Sequence, residues 1–204
     1  MTTGQRRRLP VAKFDPRPSA EFAATLLRDA GIPHALIGRV AVWSWLPTDQ
    51  HGYTKDLDIA VPESSMPRLV RLLARRKVRT QPLRIGGLSV ERRGVRVDFI
   101  DRRVDGFGPL FEEAVAVARK AGNVADIDGI KLPVVPPEYL IAMKMIPATD
   151  KDEEDVLRLL RARRSLDYAV ARKLVRKHGG AMTANRLDEL ARRAGRPDAP
   201  RSYR

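Results

Sequence analysis

Apolar positions recur along this chain in two rhythms. Between Ser19 and Ala30, Phe22, Leu26 and Leu27 fall at helical spacing, Ser19 stands where a helix cap would, and Gly31 stands where the helix would stop. "HALIG" (34–38) is a short apolar run that reads as a strand, "RVAVWSWL" behind it reads as a helix, and 47–53 reads as a loop. From Asp56 to Val61 the rhythm becomes alternation, with Leu57, Ile59 and Val61 interleaved with Asp56, Asp58 and Ala60, the period of a half-buried strand. "ESSMPRLVRLLARRK" returns to helical spacing and turns Met66, Leu69, Val70 and Leu73 inward. "LSVERRGVRVDFID" holds two alternating arms about Arg93-Gly94, which predicts a hairpin. A helix around 110–120 and a short strand pair around 127–135 complete this part.

Beyond Pro136 only helices are predicted. "PPEYLIAMKMI" opens with prolines, which suit a helix N-terminus. "DKDEEDVLRLLRAR" is acidic at its start and basic at its end, as the helix dipole favours. "SLDYAVARKLVRKHGG" runs from a serine cap to a glycine stop, and "TANRLDELARRAG" repeats that grammar. The pattern therefore predicts an α/β (α+β) protein. A flexible basic arm (1–18) leads to a mixed-sheet core (19–132), followed by a helical C-terminal domain (133–204).

Composition narrows the chemistry. No cysteine occurs among the 204 residues, so thiolate metal sites and disulfides are excluded. His34, His51 and His178 are scattered, so any metal would be held by carboxylates, which favours a hard cation such as Mg²⁺. No apolar run reaches membrane-spanning length, and a cytoplasmic protein is expected. The formal charge of +14 is uneven. Residues 158–204 carry 14 basic against 4 acidic side chains, and 71–103 is a second dense basic stretch. Such a field favours polyanions, nucleic acid or nucleotide phosphates, although 30 arginines against nine lysines is a skew that genome composition alone can produce.

Against this background the alternating strands raise a question. Asp56 and Asp58 set two like charges on one strand face, and "VRVDFI" repeats the oddity with Asp98. The pair Asp56 and Asp58 alone reads as a solvated face. If the two strands are neighbours, three carboxylates converge, and they stay ionised together only with divalent cations among them. Lys144 interrupts an otherwise apolar helix face, where a surface lysine extending to water is the plain alternative. Asp152 and Asp155 suit a first helical turn on dipole grounds alone. Trp43 and Trp45 are expected to line the core or a groove, and His51 to be an ordinary loop residue.

Gly38, the helix behind it, Thr54-Lys55-Asp56-Leu57-Asp58 and Val97-Asp98-Phe99 together resemble the nucleotidyltransferase fold of the DNA polymerase β-like superfamily. "PPEYLIAMKMIPATDKDEEDVLRLL" and the closing helices are similar to the AbiEii-like and related minor nucleotidyltransferases. The resemblance covers about residues 20–195. It implies an enzyme that moves an NMP unit from an NTP onto a hydroxyl of RNA (tRNA) or of a protein, in a toxin–antitoxin setting with an antitoxin partner. It also implies that Asp56, Asp58 and Asp98 hold Mg²⁺ or Mn²⁺, that Asp98 helps deprotonate the attacking hydroxyl, and that Lys144 neutralises the triphosphate. By the same resemblance Asp152 or Asp155 orients that lysine or a metal-bound water, Gly38 lets the backbone approach the phosphates, and Thr54 supports the metal site. Two departures stand out. Arg39 replaces a second small residue, as a clash with the triphosphate or as an added phosphate ligand, and the segment 47–53 is longer than usual. Two other functions are therefore carried alongside: a nucleotide- or RNA-binding module without catalysis, and transfer to a small hydroxyl compound such as an aminoglycoside. The basic C-terminal helices are expected to dock the acceptor.

Overall fold

The computed structural model describes residues 15–48, 51, 54–92, 94–147, 150–162 and 166–200. The expected arm lies, for residues 1–14, outside the described residues. Helix α1 (Arg17–Asp29) begins earlier than the serine signal indicates, with Pro18 in its first turn. Ser19 is fully buried inside it, and its Oγ accepts the backbone N–H of Arg96 at 2.9 Å. A residue that looks like a cap thus satisfies a strand donor instead, which only tertiary packing could specify. Gly31 ends the helix in the left-handed conformation (φ 58°), as expected.

Strand β1 (Ala35–Ile37) passes directly into α2 (Gly38–Trp43), a shorter helix than the apolar run predicts. Then come β2 (Leu57–Ala60), α3 (Met66–Arg75), β3 (Thr80–Pro82), β4 (Gly87–Arg92) and β5 (Val95–Ile100). In α3, Met66, Leu69 and Leu73 are buried, one stripe at i, i+3 and i+7, but Val70 is 46 % exposed. The expected inward position of Val70 is corrected: the helix is a surface layer only one stripe deep.

The five strands form one mixed sheet in the order β1-β2-β5-β4-β3. Only the β2–β5 pair is parallel; β1–β2, β3–β4 and β4–β5 are antiparallel. The hairpin expected at Arg93-Gly94 is present as β4–β5, with Arg92 opposite Val95. Strand β3 is missing from the sequence pattern because it is short, fully exposed and contains a proline, features of an edge strand.

Helix α4 (Gly108–Ala121) and the two-stranded β6 (Val124–Ile127)–β7 (Ile130–Pro133) unit follow, the latter starting a few residues before the expected pair. Helices α5 (Pro137–Met145), α6 (Asp150–Arg161) and α7 (Tyr168–Arg193) complete the chain. The two closing helices of the sequence reading are the halves of α7, broken at Gly180 (φ 82°, ψ 177°). The N-cap of α7 is Asp167, whose carboxylate accepts from Val170 N at 3.1 Å; the expected cap, Ser165, lies outside the described residues. One continuous apolar core joins sheet and helices, with Leu36, Leu57, Ile59 and Phe99 from the strands and Leu27, Leu69, Leu110, Leu140 and Val175 from the helices. Among the described residues no helix is long and apolar enough to cross a membrane.

Candidate functional site

Strand pairing assembles the acids. In the parallel β2–β5 ladder, Asp58 lies directly opposite Asp98, and side chains at paired positions share one face of the sheet. Asp56 sits just before β2, two residues from Asp58 and therefore on the same side. One carboxylate oxygen from each of Asp56, Asp58 and Asp98 falls within 4.8 Å of the others. Thr54 Oγ1 donates to Asp56 Oδ1 at 3.2 Å and so fixes the outermost acid.

This cluster is electrostatically uncomfortable by itself. The Asp58 carboxyl is pushed up to about 7, first by burial and then by the charges of Asp56 and Asp98, against the pull of Lys144. Asp98 is also raised, mainly by burial, although a hydrogen bond from Ser89 works the other way. Oxygen-only ligands in close convergence, each half-buried and mutually repelling, fit a hard divalent cation. The donor set is the observation that makes the fit.

Gly38 closes the site from below. Its φ is +67°, and a Cβ built there would fall 1.9 Å from Asp58 Oδ2, so neither backbone nor space tolerates a side chain. A cavity of about 170 Å³ opens here, bounded by Gly38, Asp58, Lys144 and Asp152 on its polar side and by Ile37, Ile100 and Leu140 on its apolar side.

Lys144, near the end of α5, is held in place. Its Nζ lies 2.9 Å from Asp152 Oδ1 and 2.9 Å from Asp155 Oδ2, both on α6. Asp155 is 1 % exposed and also faces Arg39, whose Nε is 3.3 Å away. Arg39 therefore points towards α6, and Asp152 and Asp155, from the first two turns of that helix, both meet the lysine. All the residues singled out in the sequence, Gly38, Arg39, Thr54, Asp56, Asp58, Asp98, Lys144, Asp152 and Asp155, lie in this one neighbourhood. Trp45 instead donates its Nε1 to Val135 O at 3.0 Å, and Trp43 stacks on His51 with ring centroids 5.5 Å apart.

Two further residues belong to the site. Ser89 stands opposite Asp98 in the β4–β5 register and donates to its carboxylate. That partnership was readable, because a turn at Arg93-Gly94 that pairs 92 with 95 also pairs 89 with 98. Arg102 had no such signal. It lines the cavity, pairs with Asp105 at 2.9 Å, and lies 5.5 Å from the Phe107 ring centroid and 5.8 Å from that of Phe111. Only the path of the chain after β5, with Arg102 at φ 56°, turns it inward.

No protein-family model matches the sequence, and neither does any curated protein. Solved structures do. An antigenic nucleotidyltransferase-like protein from Paracoccidioides brasiliensis superposes with a TM-score of 0.50 at 14 % identity, over 88 % of this chain and 95 % of that one. The antibiotic-resistance factor ANT(2'')-Ia superposes with a TM-score of 0.51 at 15 % identity, over 86 % of this chain and 98 % of that one. At such identities the likeness speaks for architecture, and with the mixed sheet and helical C-terminal region it establishes that this chain has the nucleotidyltransferase fold.

Proposed function

We propose that the protein transfers an NMP unit from an NTP to a hydroxyl group of RNA, with a divalent cation as cofactor. One observation carries this reading: Asp58 and Asp98 oppose each other on parallel neighbouring strands, with Asp56 beside them and Lys144 across a glycine-floored cavity. A divalent cation held by the three carboxylates would neutralise them and act as Lewis acid towards the phosphates.

The chain's own residues do the rest. Gly38 leaves room for phosphate oxygens beside Asp58, where any side chain would intrude. Lys144, aimed by Asp152 and Asp155, places a fixed positive charge where the triphosphate accumulates negative charge. Asp98, whose carboxyl is raised above its ordinary range, is suited to take the proton of the attacking hydroxyl. That hydroxyl oxygen then bonds to the α-phosphorus, the bond from the α-phosphorus to the bridging oxygen breaks, and pyrophosphate leaves.

The contact of Arg39 with Asp155 supports catalysis over a purely binding role. The large side chain that raised the prospect of a blocked phosphate cradle packs towards the residue that orients Lys144. The surplus of positive charge favours an RNA acceptor over a cationic aminoglycoside.

Incubation with Mg²⁺, each α-labelled NTP in turn and total RNA tests the reading, with Asp58→Asn as control. Wild type should place label on RNA from at least one NTP, and the variant should place none. Equal labelling by the two proteins, or no labelling of RNA from any NTP, would overturn it.

A further inference from the structure

The acceptor has to reach the carboxylates from some surface, and two strongly basic faces compete for that role. Among the described residues from Arg158 onward, six of the ten cations are already engaged. Arg158 pairs with Glu154, Arg172 with Asp188, Lys177 with Glu113, Arg186 and Arg193 with Glu153, and Arg196 with Asp198. The high charge count of residues 158–204 therefore overstates the free positive charge there.

The other face is different. Helix α3 and the segment leading through β3 carry Arg68, Arg71, Arg75, Lys77, Arg79 and Arg84, all exposed, and none has an ion-pair partner among the described residues. Arg76 alone is paired, with Asp29 at 3.4 Å. Glu63 is the only acid between Val61 and Gly86. Arg68, Arg71 and Arg75 repeat at three and four residues, one solvent-facing stripe of α3.

Topology brings this face to the catalytic end of the sheet. β2 leaves the site at Asp58 and runs away from it; α3 follows and travels back roughly 15 Å along its ten residues. Its C-terminal cations then hand the chain to β3, whose Thr80 is level with Val90 and, through β4, with Val97, the residue before Asp98. Gln81, Ser89, Asp98 and Asp58 form one row across four strands. With neighbouring strands about 4.8 Å apart, the open edge lies about 10 Å from Asp98. Cationic side chains on an edge strand also deter sheet-to-sheet aggregation, but that does not account for the arginine stripe on α3.

We propose that the α3–β3 edge is the docking surface for the RNA acceptor, its unpaired arginines holding backbone phosphates while a terminal hydroxyl reaches the three acids. The inference rests on the reading of the acceptor as RNA. Its test is equilibrium binding of a labelled hairpin RNA with a single-stranded end, without NTP or divalent cation, across a salt series. The proteins compared are wild type, Arg71→Glu/Arg75→Glu/Arg79→Glu, and Lys173→Glu/Arg176→Glu on α7 as a rival face. Thermal melting of each variant checks the fold, which these exposed positions should leave intact.

The α3 triple variant should lose at least about tenfold in affinity, and its slope of log K against log salt should flatten by about two to three, at 0.7–0.9 per phosphate contact. The α7 variant should bind within about twofold of wild type. Four results would overturn the proposal: unchanged binding by the triple variant, a loss that follows the α7 variant, no RNA binding by wild type, or displacement of RNA by polyglutamate as effectively as by unlabelled RNA. Because no transfer is measured, the outcome is separable from catalysis. RNA bound at this edge but never labelled removes the transferase reading alone, and normal labelling by the triple variant removes the docking surface alone.

Discussion

A methyl group on Gly38 has nowhere to go. The left-handed backbone disfavours it, and the Asp58 carboxylate occupies its place at 1.9 Å. Gly38→Ala should shift Asp58 out of register with its partners and lower kcat/KM about 100-fold, the cost of an ångström-scale misplacement, while the far-UV circular dichroism stays native. Steady-state kinetics beside the spectrum checks this. Asp58 supplies a second expectation at the same scale. Its ionised form is disfavoured by burial and by Asp56 and Asp98, so Asp58→Asn should raise the Tm of the metal-free protein at pH 8. Mg²⁺ should raise the Tm of wild type and leave that of the variant nearly unchanged. Melting curves in EDTA and in Mg²⁺ decide it, and a variant stabilised by Mg²⁺ as strongly as wild type would remove Asp58 from the cation site.

Among the elements, α7 depends on a side-chain lock across its break. Tyr168 and Arg172 lie before Gly180 and Asp188 after it. Asp188 accepts from Tyr168 Oη at 2.6 Å and from Arg172 Nε and Nη2 at 2.8 and 2.9 Å. Burial by itself would raise the Asp188 carboxyl, but the hydrogen bonds from Arg172 and Tyr168 and the arginine charge hold it below its ordinary value. A carboxylate depressed in the folded state stabilises fully above its unfolded pKa, about 3.9, and loses that contribution as pH falls through the lower folded value. Asp188→Ala should therefore cost about 2–3 kcal/mol at pH 7, the low side of a buried pair because Arg172 is partly exposed, and the gap should narrow below about pH 4. Urea unfolding at pH 7 and at pH 3 measures both. At this scale the sequence was informative about type and less so about ends. Glycine stops, the Arg93-Gly94 hairpin and the spacing of apolar residues located most helices and strands. Ser19 and Val70 misled, because each is decided by what packs against it and not by its neighbours in sequence.

The molecule as a whole arranges its charge in a way that counting cannot reveal. Both basic stretches look alike along the chain, yet the C-terminal one is interlaced with glutamates and aspartates from α4, α6 and α7 itself, whereas the α3–β3 part of the other presents Arg71, Arg75, Lys77, Arg79 and Arg84 to water with no ion-pair partner among the described residues. If the unpaired edge receives RNA, whole-protein affinity should fall steeply with salt through a handful of arginines. Arg39 belongs to the same scale of explanation. Read locally it is an obstacle beside Gly38, and read in the fold it spans from α2 to α6 and meets the acid that holds Lys144.

Alternation of apolar residues with Asp56, Asp58 and Asp98 was enough to place Asp58 and Asp98 on strand faces with Asp56 beside them, since a strand's period of two leaves no other arrangement of those side chains. What it could not supply was that β2 and β5 are adjacent and parallel in a register that sets Asp58 against Asp98. Strand order is a long-range choice, made as helices and strands bury their apolar residues in one shared core, and no local periodicity encodes it. The same holds for Arg102, for the edge strand β3 and for the pairing of the C-terminal cations. Each depends on which distant segment the shared apolar core brings alongside.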